Sequence, residues 1–152
     1  MHIATADPGT PDIAALLSEH LEDMHATSPA CSVHALDVER LRAPHVSFVA
    51  ARDDAGALLG VGAIAVIEPG HGEIKSMRTA GDQRGRGVAT AVLDHLLGRA
   101  RELGLSRVSL ETGTAEPFHA AHRLYERSGF TECGPFAGYA LDPFSRFYTR
   151  SL

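Results

Sequence analysis

The chain has 152 residues, 44% of them hydrophobic, with 14 Lys and Arg against 19 Asp and Glu for a formal charge of −5. No basic excess or basic face suits nucleic acid, no apolar run approaches the ~20 residues of a membrane span, and residues 1–8 lack the basic and apolar regions of a secretory signal. Two distant cysteines without a CxxC motif predict a reduced, cytoplasmic protein, and the length suits one domain that buries roughly 68–70% of its unfolded surface.

Residues 2–5 read as a short first strand. Thr10-Pro11-Asp12 predicts a helix start: a capping hydroxyl, proline at the first helical position, then an acid. Ile13, Leu16, Leu17, Leu21 and Met24 follow at helical spacing, and the helix is expected to end near His25. Residues 26–34, rich in small polar side chains, predict a loop. Asp37 caps a short second helix that runs to Leu41 or Arg42, and Pro44 stops it. Alternation at Val46, Phe48 and Ala50 predicts a strand, and Asp53-Asp54-Ala55-Gly56 a hairpin turn. Residues 57–67 form an apolar strand whose Gly60 and Gly62 point to close backbone approach or a bulge. A turn at Pro69-Gly70-His71-Gly72 leads into an alternating strand over 73–79. These three strands are expected to form an antiparallel meander.

Arg84-Gly85-Arg86-Gly87-Val88-Ala89 stands where that strand hands over to a helix. The free N–H groups of a helix start and the positive end of its dipole suit a phosphate, and glycine lets a bulky anion approach the backbone. A Rossmann turn needs a third glycine or alanine, where Thr90 stands, and a Walker A turn needs Gly-Lys-Ser/Thr, which is absent. The helix over 87–103 presents Ala89, Val92, Leu93, Leu96, Ala100 and Leu103 on one face, and Gly104 closes it. Residues 107–112 read as a strand. The strand–helix–strand crossover favours a parallel pair. Pro117 opens a last helix to about Arg127, ended by Ser128-Gly129. Two closing strands follow over 130–133 and 146–150, joined by a loop with Gly134, Pro135 and Pro143.

Three of these features together resemble the GNAT (Gcn5-related N-acetyltransferase) superfamily. Arg84 to Ala89 fit its [Q/R]-x-x-G-x-[G/A] turn, Glu73-Ile74-Lys75-Ser76-Met77-Arg78-Thr79 takes the place of its fourth strand, and Ala121-His122-Arg123-Leu124-Tyr125-Glu126-Arg127-Ser128-Gly129-Phe130 fits its A-x-x-L-Y-x-x-x-G-F ending. They span about half the chain. The resemblance implies one α/β (α+β) domain over residues 1–152: a mixed, mainly antiparallel sheet of six to seven strands, helices on both faces, and a splayed central strand pair. It implies acetyl-CoA as acyl donor. The pyrophosphate would lie on the N–H groups of Arg86 to Thr90 (Arg86, Gly87, Val88, Ala89 and Thr90), with Arg84, Gly85 and Arg86 around it. The pantetheine arm would lie beside Met77, Arg78 and Thr79 like an added strand. Where the family often has asparagine, seven positions before the tyrosine, this chain has Phe118.

The same resemblance implies a direct transfer of the acetyl group to the primary amine of a small molecule or peptide. Tyr125 is then the acid that serves the leaving thiolate. Its bland reading is a half-buried core tyrosine. Glu73 aligns with the family's base; otherwise it is a solvated carboxylate beside Lys75. Glu111 is a rival base or a substrate anchor, and Ser32 and His34 are substrate-binding candidates in the loop. Two readings of other classes stand beside this one: a non-catalytic acyl-CoA sensor on the same fold, and a nucleotide-binding regulator. No metal is expected: His119 and His122, three apart after Glu116, lack a further ligand and read as a surface helix. Cys133 has no adjacent base and reads as a packed closing-strand residue. Neither nucleic acid nor membrane is an expected partner, and homodimers are common in the family.

Overall fold

Residues 1–32 and 37–152 are described by the computed structural model. Seven strands, β1 (His2–Thr5), β2 (Val46–Arg52), β3 (Leu58–Glu68), β4 (His71–Thr79), β5 (Arg107–Gly113), β6 (Thr131–Cys133) and β7 (Ser145–Ser151), form one sheet in the order β1-β2-β3-β4-β5-β7-β6. The expected meander β2-β3-β4 is antiparallel, and β4 and β5 are the parallel pair. The last strand, β7, inserts between β5 and β6. Among the described residues no helix is long and apolar enough to cross a membrane.

Among the described residues four α-helices cover the sheet: α1 (Pro11–Thr27), α2 (Val38–Leu41), α3 (Val88–Glu102) and α4 (His119–Arg127). Strand alternation sends apolar side chains to both faces. On one face Phe48, Ala50, Val61 and Ala63 pack against Ile13 and Leu16 of α1 and Leu41 of α2. On the other, Ile64, Ile74, Val108, Leu110 and Tyr148 pack against Val92, Leu93 and Leu96 of α3 and Leu124 of α4. The glycines of β3 set how closely α3 approaches. A Cβ on Gly62 would lie 2.7 Å from Met77 Sδ and 2.8 Å from Val92 Cγ1, and one on Gly60 would lie 2.8 Å from Val88 Cγ1.

Some local expectations change. The Thr10 side chain makes no capping bond; the first turn of α1 is held instead by Asp12, whose carboxylate accepts from Ile13 N at 2.8 Å and from Arg52 at 2.6 and 3.0 Å. The helix runs on to Thr27, two residues past His25. Pro117 lies in a 3₁₀ turn over Glu116–Phe118, one turn ahead of α4. His122 is buried rather than on a surface helix: its Nε2 lies 2.7 Å from the Gly113 carbonyl and ties α4 to the end of β5. Cys133 is in β6, partly buried.

Candidate active site

The site begins where the parallel pair parts. β4 and β5 stay in register only from His71↔Arg107 to Ile74↔Leu110. Beyond that the strands separate, while β4 keeps its partner β3 through a bulge. Two steps along β3, from Val61 to Ala63, match three along β4, from Arg78 to Lys75. Ser76 absorbs the extra residue with φ +55°. The bulge inverts the side-chain alternation. Lys75 turns toward the α1 face, Met77 toward α3, and Arg78 back to α1, where it bonds Glu19 at 2.7 Å and Asp23 at 2.5 Å.

The gap opens into a cleft of about 740 Å³ that runs between the start of α3, α4 and the C-terminal turns of α1; its walls include Met77, Thr79, Arg84, Gly85, Gly87, Phe118 and Tyr125, with His20, Met24 and Thr27 from α1. One end is the start of α3. The first intrahelical bond runs from Ala91 N to Gly87 O, so the N–H groups of Val88, Ala89 and Thr90, all lining the cleft, precede the helix ladder. Gly85 and Gly87 adopt φ +78° and +79° with open space where a Cβ would stand. A glycine turn ahead of a helix dipole, with Arg84 beside it, fits a diphosphate. The apolar walls farther in, Val92, Leu124 and Met77, fit an uncharged arm. Arg86 is not on the cleft wall; its guanidinium donates to Gln83 Oε1 at 3.2 Å. Arg78 lines the cleft, but its guanidinium is committed to α1.

A second recess of about 90 Å³ adjoins the cleft and shares its residues His20, Met24, Met77, Phe118, Ala121 and Tyr125. It adds Glu73, Lys75 and Glu111. Strand alternation puts these three on the α1 face, opposite Ile74 and Leu110. The two cavities adjoin at the parted strands beside Tyr125, and each is lined from both α1 and α4. The Tyr125 hydroxyl makes no hydrogen bond to any described residue, and burial, then the Glu111 charge, pushes its pKa far above the ordinary phenol value. Burial also raises Glu111 to about 7; the Ser145 hydroxyl and Lys75 oppose the rise, and Glu73 and Asp142 add to it. The Ser145 hydroxyl is buried without a partner in good hydrogen-bonding geometry. His20, on α1, is lowered to about 4 by burial and the Arg78 cation.

The sequence model of the Acetyltransferase (GNAT) family matches residues 13–130. The chain belongs to the GNAT acetyltransferase family. It is an acyltransferase of the N-acetyltransferase type. It is 46% identical over 150 residues to the uncharacterized N-acetyltransferase YedL of Escherichia coli K12, covering 99% of this chain and 94% of that one. A solved Klebsiella pneumoniae chain assigned to the acyl-CoA N-acyltransferases superposes with TM-score 0.81 at 29% identity, over 99% and 97% of the two chains. An aminoglycoside 6′-N-acetyltransferase complexed with coenzyme A shares the fold, with TM-score 0.72 at 16% identity, over 99% and 97%.

Of the residues that GNAT resemblance singled out, Tyr125, Glu73, Glu111, Met77, Thr79, Arg84, Gly85, Gly87, Val88, Ala89 and Thr90 come together on the two cavities. Ser32 does not line either one; its hydroxyl donates to Asp142 Oδ2 at 2.5 Å and ties two loops together. His34 lies outside the described residues. Glu73 is engaged at 3.2 Å by Lys75 and at 2.5 Å by Tyr139. Sequence reasoning missed His20, Tyr139 and Arg127. His20 falls on a helix with no motif, Tyr139 in a loop with no periodicity, and Arg127, which lines the cleft, reads as an ordinary helix-end cation.

Proposed function

We propose that this enzyme transfers the acetyl group of acetyl-CoA to the primary amine of a small molecule or peptide by direct attack, with Tyr125 as acid and Glu111 as base. The observation that carries the reading is the meeting of two cavities at Tyr125: a long cleft headed by a helix start, and a small acidic recess. The cleft suits the donor, with diphosphate at Val88–Thr90 and Arg84, and the thioester at the parted strands. The Met77–Thr79 backbone would pair with the donor's amides, and one N–H there would stabilise negative charge on the carbonyl oxygen as the amine adds.

In the recess Glu73, Glu111 and nearby Asp142 outnumber Lys75, so an acceptor that arrives as an ammonium ion is favoured. An alkyl amine, with a pKa near ~10.4, must lose a proton before it can attack. Glu111, held near 7, is tuned to accept it at neutral pH, whereas Glu73 already has two donors. A new C–N bond forms as the C–S bond breaks. Tyr125, kept protonated by burial, gives or shares its proton with the departing sulfur.

The test is release of free CoA thiol with a panel of amines, in the parent protein and in Tyr125→Phe. The parent should release thiol only when an accepted amine is present, and the variant should be slower by on the order of 10²-fold. Unchanged release in Tyr125→Phe would remove the acid role. Acetyl-CoA binding without thiol release for any amine would favour the sensor reading.

A further inference from the structure

Loop 134–144 connects β6 to β7, and its Tyr139 hydroxyl reaches two residues of the acidic recess wall, Glu73 and Lys75. Phe136 and Tyr139 anchor it on the sheet. Their ring centroids lie 5.1 Å apart, Tyr139 stands 5.5 Å from Phe147 of β7, and Phe136 stands 5.8 Å from the His71 ring of β4. That aromatic patch aims the Tyr139 hydroxyl at β4. The hydroxyl donates to Glu73 Oε2 at 2.5 Å, and Lys75 Nζ donates to the same hydroxyl at 3.0 Å and to Glu73 at 3.2 Å. The result is a closed triangle of acid, phenol and ammonium. The side chains of Glu73 and Lys75 keep only 8% and 10% of their exposure, so solvent does little to weaken these bonds. Among the described residues Glu111 forms no ion pair, although it faces the same space.

We propose that Tyr139 is a positioning residue: its hydroxyl locks Glu73 to Lys75, so that Glu111 is the carboxyl left to take the acceptor's proton. The inference rests on the acceptor site proposed above. The two carboxylates are electrostatically coupled, and a hydroxyl donated to one disperses the charge that the other feels. Among the described residues the groups facing Glu111 are Glu73 and Lys75 from β4, His20 from α1, Tyr125 from α4, Tyr139 and Asp142 from the loop, and Ser145 from β7. Removal of the Tyr139 hydroxyl leaves Glu73 less neutralised, and Glu111 then holds its proton to higher pH.

The experiment compares Tyr139→Phe, which keeps the ring contacts with Phe136 and Phe147, with the parent protein. Two readouts are used: the pH profile of kcat/KM with an accepted amine, and a ¹³C-carboxylate NMR titration of Glu111 in the free protein. The variant's acid limb and the Glu111 titration should both move up by about half a pH unit, and a shift of that size makes kcat/KM below the limb about threefold lower. The loss on the low-pH side should exceed any loss on the plateau. A purely structural role would lower the whole profile without moving the limb. An unmoved limb and an unmoved NMR titration would overturn the proposal. The NMR readout keeps it testable if turnover is weak. If the parent protein accepts no amine, or Glu111→Gln retains the acid limb, the failure lies with the acceptor-site reading and not with Tyr139.

Discussion

Gly62→Ala tests how the sheet positions the donor cleft. The added Cβ would stand 2.7 Å from Met77 Sδ, 2.8 Å from Val92 Cγ1 and 3.0 Å from Leu96 Cδ1. Met77 is flexible and can swing aside. Val92 cannot, because a β-branched side chain in a helix has one strongly preferred rotamer. The remaining relief is for α3 to lift from β3. Overpacking of this kind costs about 1–3 kcal/mol, and a less flexible unfolded chain returns about 0.4–1 kcal/mol. The net loss is about 1–2 kcal/mol, read by urea unfolding. Val88 at the start of α3 and Met77 both line the cleft, so acetyl-CoA affinity measured by calorimetry should also fall severalfold. Gly98→Ala is the control: it lies in α3 with open space around it, and alanine should stabilise the helix there by about 0.8–1 kcal/mol. Equal or opposite effects of the two substitutions would refute the claim that Gly62 sets the spacing of α3.

Two further outcomes are expected. With Glu111 near pH 7, kcat/KM in the parent protein should be about tenfold below its plateau at pH 6; Glu111→Gln should lose that limb and fall on the order of 10²–10³-fold at the plateau, as read by thiol release across pH. His20 is lowered to about 4 from 6.5, so the unfolded chain binds its proton first as pH falls. Its contribution to stability is fully present above about pH 6.5 and lost toward pH 4. Relative to His20→Asn, the parent protein should lose about 1–2 kcal/mol of stability between pH 7 and pH 5 in urea unfolding. Glu111, whose folded value is raised, works in the opposite direction, so only the difference between the two proteins isolates the histidine.

The helix-start end of the cleft was legible because backbone chemistry is written in residue type. Gly85 and Gly87 announce positive φ, and the apolar period of 87–103 announces the helix that follows them. Gly60 and Gly62 signalled close approach or a bulge, and both occur there: α3 packs on them and the β3–β4 register shifts between Val61 and Ala63. The acidic recess was not legible, because it is made by tertiary juxtaposition. Nothing in the run Glu73-Ile74-Lys75-Ser76-Met77 distinguishes a regular strand from one with a bulge at Ser76, a non-glycine residue at φ +55°. Yet that single extra residue decides which way Met77 and Arg78 face, while Lys75, ahead of it, keeps the side that Glu73 takes. Tyr139 lies 66 positions from Glu73 in a loop without periodicity. His122 looked like a surface residue because its partner is a backbone carbonyl, which leaves no trace in side-chain patterning.

The parting of β4 and β5 has a chemical consequence. In the reaction proposed above the coenzyme would fill the long cleft and the acceptor the small recess, so both could be on the enzyme together. On that proposed route the acyl group would pass straight from one to the other, with no covalent stop on a side chain of the protein.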